Sequence, residues 1–358
     1  DMTTDVISNI SITKADKSRI SEVDFNDIKF GKVFSDHMFM ADYKNGEWSN
    51  LQILPYGKIE FAPSMVALHY GQALFEGMKA YKNDAGEILL FRPEENWKRM
   101  NRSAERLCMA EVPHDVFMNG LTELLRIDKK RIPTTEGSGL YIRPFLFASE
   151  AFLGVKPATE YKFIIFTAPV GAYYSEPVKV KVERHFTRAA EGGVGYAKAA
   201  GNYAAALYPA MKAQQDGFHQ LVWTDAKEHK YIEEAGTMNI MFVIDGVLIT
   251  PSLEKKTTLA GITRDSVLTI AKDLGMEVQE RPVSVDEVIL AHERGQLQDA
   301  FGCGTAANIA YIKSIYCNGK EYDLIPVKDR EYSTRFAYTL DDIKRGKGKD
   351  THGWVYKV

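Results

Sequence analysis

Strict alternation in Val178-Lys179-Val180-Lys181-Val182 sets valines on one face and lysines on the other, which predicts a half-buried strand. Earlier in the chain, short β-like runs at Val33 to Phe39, Glu87 to Phe91 and Lys162 to Thr167 are mixed with helical periodicity over 91–107 and 116–125. That mixture predicts an α+β arrangement. Two prolines and a glycine between Pro169 and Pro177 break the periodicity, and an interdomain connection is expected at 171–182. It divides a smaller domain, 1–170, from a larger one, 183–358.

Beyond the connection, 202–215 is alanine-rich and helix-like, although Pro209 is expected to kink it or to start its second half. Two hairpins are predicted next, one over 220–232 turning at Asp225–Lys230, the other over 240–249 turning at Asp245-Gly246. From Thr263 to Leu274, Val267, Leu268, Ile270, Ala271 and Leu274 share one helical face, and Gly275 is the stop.

Composition narrows the function classes. The 358 residues are 45% hydrophobic and 26% charged, as in an ordinary globular chain with room for two domains. A net charge of −3 and the lack of a basic stripe exclude nucleic acid as the expected partner. The run Lys344-Arg345-Gly346-Lys347-Gly348-Lys349 reads as a solvated, mobile tail. No signal peptide is visible at the start, and the longest uncharged run, Phe163 to Ser175, is too short to span a bilayer, so no membrane partner is expected. Cys108, Cys303 and Cys317 form no C-x-x-C pair, which suits a reducing cytoplasm. The eight histidines show no metal-ligand spacing, and no metal is expected; His37 and His69 read as hydrogen-bonded core histidines.

Chemistry concentrates in four segments. Lys198 lies in a small-residue stretch, 192–203, with Ala197, Ala199, Ala200 and Gly201 around it. Such an amine either forms a Schiff base with an aldehyde cofactor or carbonyl substrate, or rides a mobile glycine-rich loop. Glu234 precedes Ala-Gly-Thr at the head of an apolar strand, where it either serves a pyridine ring nitrogen or faces water at a hairpin end. Gly261 and Thr263 open the helix from Thr263, as a phosphate site or as a plain threonine cap. A second glycine-threonine turn, Gly302 to Ala307, offers backbone amides to an anion. One lysine, one carboxylate and two such turns match the needs of pyridoxal 5′-phosphate.

The segments Tyr-Ala-Lys-Ala-Ala-Gly-Asn-Tyr, Glu-Ala-Gly-Thr-Met-Asn, Leu-Ala-Gly-Ile-Thr-Arg and Phe-Gly-Cys-Gly-Thr-Ala resemble those of the branched-chain aminotransferases, fold-type IV enzymes that use that cofactor. Phe30 to Met38, Tyr70 to Gly77, Arg99 in Lys-Arg-Met-Asn-Arg-Ser, and Leu140 to Pro144 resemble the family's smaller domain, so the likeness runs from about Phe30 to Tyr322.

The resemblance implies reversible amino transfer from Leu, Ile or Val to 2-oxoglutarate with ping-pong kinetics, in a homodimer. Lys198 is then the Schiff-base lysine and general base, Glu234 the partner of the ring nitrogen and Tyr203 that of the ring oxygen. Arg99, Ile262, Thr263 and Thr305 fall at phosphate positions, with Thr237, Leu259 and Gly261 also in the cofactor set. Phe30, Tyr70, Phe75, Tyr141, Val155 and Tyr173 match substrate-pocket walls. Thr305, the Ala306 amide and the Tyr70 hydroxyl match the α-carboxylate side, and Arg143 the distal carboxylate of glutamate. The C-x-x-C of mammalian-type members is replaced by Ala307-Asn308-Ile309-Ala310, so no thiol switch is expected there. A D-amino-acid aminotransferase or aminodeoxychorismate lyase on the same fold is the alternative, with a non-catalytic phospholigand-binding protein as the rival of another class. The order of preference among Leu, Ile and Val is not legible in these residues.

Overall fold

A computed structural model describes residues 9–172 and 176–358. The expected pocket residue Tyr173 lies outside the described residues. The chain is a mixed α+β protein whose contacts divide it into two compact units. Residues 9–172, 197–201 and 343–358 form the first; 176–196 and 202–342 form the second.

The first unit is built on one sheet. Its strands are β1 (Ser11–Ile12), β2 (His37–Lys44), β3 (Glu47–Pro55), β4 (Ala73–Phe75), β5 (Met78–Lys82), β6 (Ile88–Phe91), β7 (Gly139–Ala148) and β8 (Tyr161–Val170), joined by Val355–Lys357. The order β1-β3-β2-β8-β7-β5-β6 ends in that late strand, and β4 pairs with β7. Alternate residues of these strands, among them Phe39, Ala41, Ile53, Leu140, Ile142, Phe163 and Ile165, enter one buried cluster with Phe117, Leu121, Leu124 and Leu125. The latter come from α3 (His114–Ile127), which follows α1 (Val66–Tyr70) and α2 (Pro93–Arg106). α2 begins with Pro93 in its first turn, where a missing N–H is harmless, after Arg92 at φ 50°.

Several expectations needed correction here. The strand expected over Val33 to Phe39 starts only at His37 and runs on to Lys44. Just before it, the Asp36 carboxylate accepts from Arg131 and from the backbone N–H of Arg19. His37 is a buried, hydrogen-bonded histidine, with Nδ1 2.7 Å from Asp128 Oδ1. His69 is exposed instead, at the end of the short α1. The basic run is not a free tail either: Lys344 is 5% exposed with Nζ over the Phe91 ring, and Arg345 lies over Tyr81 and donates to the Ser138 carbonyl. Long aliphatic stems let these cations cover apolar surface.

The second unit contains β9 (Val178–Val182), β10 (Gln220–Thr224), β11 (Ile232–Ala235), β12 (Met238–Ile244), β13 (Val247–Thr250), β14 (Val278–Glu280), β15 (Leu297–Gly304), β16 (Asn308–Cys317) and β17 (Lys320–Asp323). The order is β11-β10-β9-β16-β15-β12-β13-β14, and β11 also pairs with β12. That extra pairing closes six strands, β11-β10-β9-β16-β15-β12, into a ring. Val180, Val222, Ile240, Phe242, Ala300 and Ile312 belong to its buried cluster. The remaining helices are α4 (Ala200–Gln215), α5 (Ile262–Asp273), α6 (Val285–Glu293) and α7 (Tyr332–Lys344). α4 runs through Pro209 without interruption. The Asp245-Gly246 hairpin forms with φ of 48° and 75°, the left-handed pair that a two-residue turn demands.

Candidate active site

In the first unit, Lys198 is fixed through its backbone. Its N–H donates to Ser103 Oγ at 2.9 Å, and its carbonyl accepts from Phe75 N–H at 3.2 Å. Ala199 adds an antiparallel bridge to Leu74 of β4. Ala197 and Ala199 are buried, Lys198 is half-buried, and its Nζ lies 4.8 Å from the centre of the Phe75 ring. The lysine is therefore held on a strand edge rather than on a mobile loop.

Next to it stands a second cation. Tyr141 and Arg143 lie two apart on β7 and so share a face. Arg143 Nη2 donates to the Tyr141 hydroxyl at 2.8 Å, and its guanidinium sits 4.3 Å from the Phe75 ring centre. Phe30 meets Tyr141 edge-on at 5.2 Å. Gly77 makes the arrangement possible, since a Cβ there would come within 2.5 Å of the Tyr141 hydroxyl. Arg143 Nε is buried without a hydrogen-bond partner among the described residues.

Not every expected pocket residue joins this group. Tyr70 is 43% exposed and Val155 88% exposed, with Leu153 beside it also largely open to solvent. Arg99 is buried on α2 and held by Glu76, with Asn96 donating to the same carboxylate at 2.9 Å. Glu76 and Ser103 carried no role in the sequence, because only the folded chain shows what they hold.

In the second unit, strand register gathers the cofactor candidates at one end of the ring. Glu234 of β11 faces Asn239 of β12, and Asn239 faces Cys303 of β15. Thr305 and Ala306 follow in the tight turn between β15 and β16. Asn239 Nδ2 donates to the Leu259 carbonyl at 2.9 Å, and the Leu259 N–H donates to Glu234 Oε2 at 2.7 Å. Gly261 lacks the Cβ that would collide with Asn239 Oδ1. α5 then starts at Ile262 with Gly261 as its cap, and no side chain caps it among the described residues. Thr263 is buried inside the first turn and is not the cap residue. Uncapped amides at the positive end of a helix dipole suit an anion.

Glu234 is 1% exposed. It lines a cavity together with Tyr203, Thr237, Leu259, Asn202 and Arg188, and Ala206, Leu221 and Trp223 also line it. Arg188, which no sequence pattern flagged, is the organiser. Its Nε lies 3.6 Å from Glu234 Oε1, while its other nitrogens donate to the Thr257 and Gly195 carbonyls at 3.0 and 3.1 Å. A guanidinium and a backbone amide beside the Glu234 carboxylate are the contacts expected of a group that pairs with a ring nitrogen. Apolar walls, a phenol and an uncapped helix start fit a planar phosphorylated pyridine.

Burial pushes the Cys303 thiol well above its usual range, which leaves it inert at neutral pH. Among the described residues, no three His, Cys, Asp or Glu side chains are placed to hold a metal, and no helix is long and apolar enough to cross a membrane.

The profile of the amino-transferase class IV family matches residues 73–315. "Branched-chain-amino-acid aminotransferase 2" of Bacillus subtilis (strain 168) is 44% identical over 339 residues, covering 94% of this chain and 93% of its own. The crystal structure of the Escherichia coli branched-chain amino acid aminotransferase superposes with a TM-score of 0.73 at 26% identity, over 89% of this chain and 98% of that one. The T.th. branched-chain amino acid aminotransferase, solved with N-(5′-phosphopyridoxyl)-L-glutamate, gives a TM-score of 0.71 at 25% identity, over 88% and 97% of the two chains. The closed ring of strands, the buried Glu234 and the extended match together place this chain in the class IV aminotransferase family.

Proposed function

We infer that the chain is a pyridoxal 5′-phosphate-dependent transaminase that moves the amino group of Leu, Ile or Val reversibly to 2-oxoglutarate. The observation that carries this reading is Glu234, a carboxylate 1% exposed, held by Arg188 and the Leu259 amide on a cavity wall shared with Tyr203. When bound, the cofactor supplies an aldehyde for attachment and a protonated ring that withdraws electrons from the substrate α-carbon.

The chain's own residues do the rest. Lys198 would hold the cofactor through its aldehyde and, once released, would carry the proton at the substrate α-carbon. Glu234 would pair with the ring nitrogen, and Tyr203 with the ring oxygen. Arg99, Ile262, Thr263 and Thr305 would hold the phosphate end, with Thr237, Leu259 and Gly261 also in the cofactor set. Phe30, Phe75 and Tyr141 bury the aliphatic side chain, at about 0.8 kcal/mol per CH₂. The Ala306 amide and Thr305 receive the α-carboxylate. Arg143 receives the distal carboxylate of glutamate, a role supported by its unpartnered Nε.

A homodimer is the assembly we propose. Leu68, Tyr70, Phe152, Leu153 and Val155 leave apolar surface exposed on the first unit, and a second copy covers them while Tyr70 and Val155 serve its substrate pocket. The free cysteines support a reducing, cytoplasmic location.

Borohydride reduction followed by peptide mapping tests the assignment. A pyridoxyl group is expected on Lys198, and Lys198→Ala should bind cofactor without a reducible link and lose turnover. Label on another lysine, or wild-type turnover in the variant, refutes it.

A further inference from the structure

Strand β11 carries two consecutive buried carboxylates, Glu233 at 7% and Glu234 at 1% exposure. Arg188 is the cation close to both, and its own side chain is 7% exposed. Thr257 links them further: its side chain hydrogen-bonds Glu233, while its carbonyl accepts from Arg188 at 3.0 Å. Two residues on, Leu259 gives its amide to Glu234. Glu233 Oε1 is buried without a hydrogen-bond partner among the described residues. A bare oxygen on an ionised carboxylate is costly in such a place, and one guanidinium cannot neutralise two carboxylates at once. Asp225, which follows β10, is a further charged group acting on Glu233, and Asp225 is itself acted on by Lys255.

We propose that Glu233 is a positioning residue that acts on Glu234 through Arg188 and the Thr257–Leu259 segment. The proposal rests on the reading that Glu234 pairs with the cofactor's ring nitrogen. Burial pushes Glu233 up to about 7 despite the Thr257 hydrogen bond and the Arg188 charge, with Asp225 and Glu234 adding to the rise. Its charge therefore changes within the neutral range. As the neutral acid it leaves Arg188 to Glu234. As a carboxylate it draws on Arg188 and Thr257, adding negative charge behind Glu234.

The test is a pH series from 5 to 9 on the holoenzyme, following both the visible cofactor band and kcat/KM. The wild type should pass through a transition near the value of about 7 that Glu233→Gln abolishes. Thr257→Val, which removes a bond favouring the charged form, should move the transition to higher pH. An unchanged transition in Glu233→Gln, or an unmoved midpoint in Thr257→Val, overturns the proposal.

Cofactor-free protein gives a second readout. A carboxyl raised from 4.5 to about 7 stabilises the fold fully below 4.5, and that contribution is lost as pH rises to about 7. The melting temperature of the wild type should therefore fall relative to Glu233→Gln over this range, and parallel curves also overturn the proposal. If wild-type protein shows no bound cofactor, the function proposed above fails, and the cofactor-free series still decides whether Glu233 titrates as stated.

Discussion

Glu76 grips Arg99 at two points: Nη2 donates to Oε1 at 2.7 Å and Nε donates to Oε2 at 3.0 Å, with both side chains buried. A two-point grip fixes the plane of the guanidinium as well as its position. Removing the carboxylate leaves a buried cation uncompensated and strips Asn96 of an acceptor. Glu76→Ala should therefore lose about 3–5 kcal/mol in urea unfolding. Its cofactor affinity, measured by equilibrium dialysis, should fall with it if Arg99 serves the phosphate. Unaltered stability would show that the pair is not the buried clamp described.

The role proposed for Arg143 is to accept the distal carboxylate of one substrate and not the aliphatic chain of the other. A charge-assisted hydrogen bond contributes about 1.5–3 kcal/mol, or roughly 10- to 100-fold in kcat/KM. Arg143→Ala should lose that much with glutamate and 2-oxoglutarate, and much less with leucine, in single-turnover measurements of each half-reaction. Equal losses with both donors would assign Arg143 to packing against Phe75 and Tyr141.

Asp36 predicts the acid limb of the stability curve. Burial would raise its carboxyl, but Ser18, the Arg19 amide and Arg131 together pull it down to about 2. A lowered carboxyl contributes stability above its ordinary value of 3.8, and that contribution is lost as pH falls toward about 2. Asp36→Asn should thus be destabilised more at pH 6 than at pH 2.5. The comparison is made by denaturant unfolding at both values, and an equal difference would contradict the assignment.

Local signals were legible where one segment dictates its own conformation. Val178–Val182 alternates and forms β9, and Asp245-Gly246 turns where the backbone needs left-handed residues. The ends of elements were less so: a threonine cap at Thr263 was one of two readings, but the cap is Gly261, where Asn239 leaves no room for a Cβ. Closure of the second unit's ring by β11 and β12 was invisible, since it depends on six strands meeting in register. The candidate site follows the same division. Lys198 and Glu234 stand out in their segments, but Arg188, Glu76 and Ser103 gain their roles only from residues far along the chain, 46, 23 and 95 positions away in their respective contacts with Glu234, Arg99 and Lys198.

The strand Val355–Lys357 pairs with Leu89 to Phe91 of β6. During synthesis, those residues of β6 leave the ribosome long before their partner is translated. The growing chain therefore carries an open strand edge, with its backbone donors and acceptors unfilled, through the making of the whole second unit. Such an edge is a template for pairing with other chains. The first unit to be translated is thus the last to be finished, and a chain cut short before Val355 keeps that edge open for good.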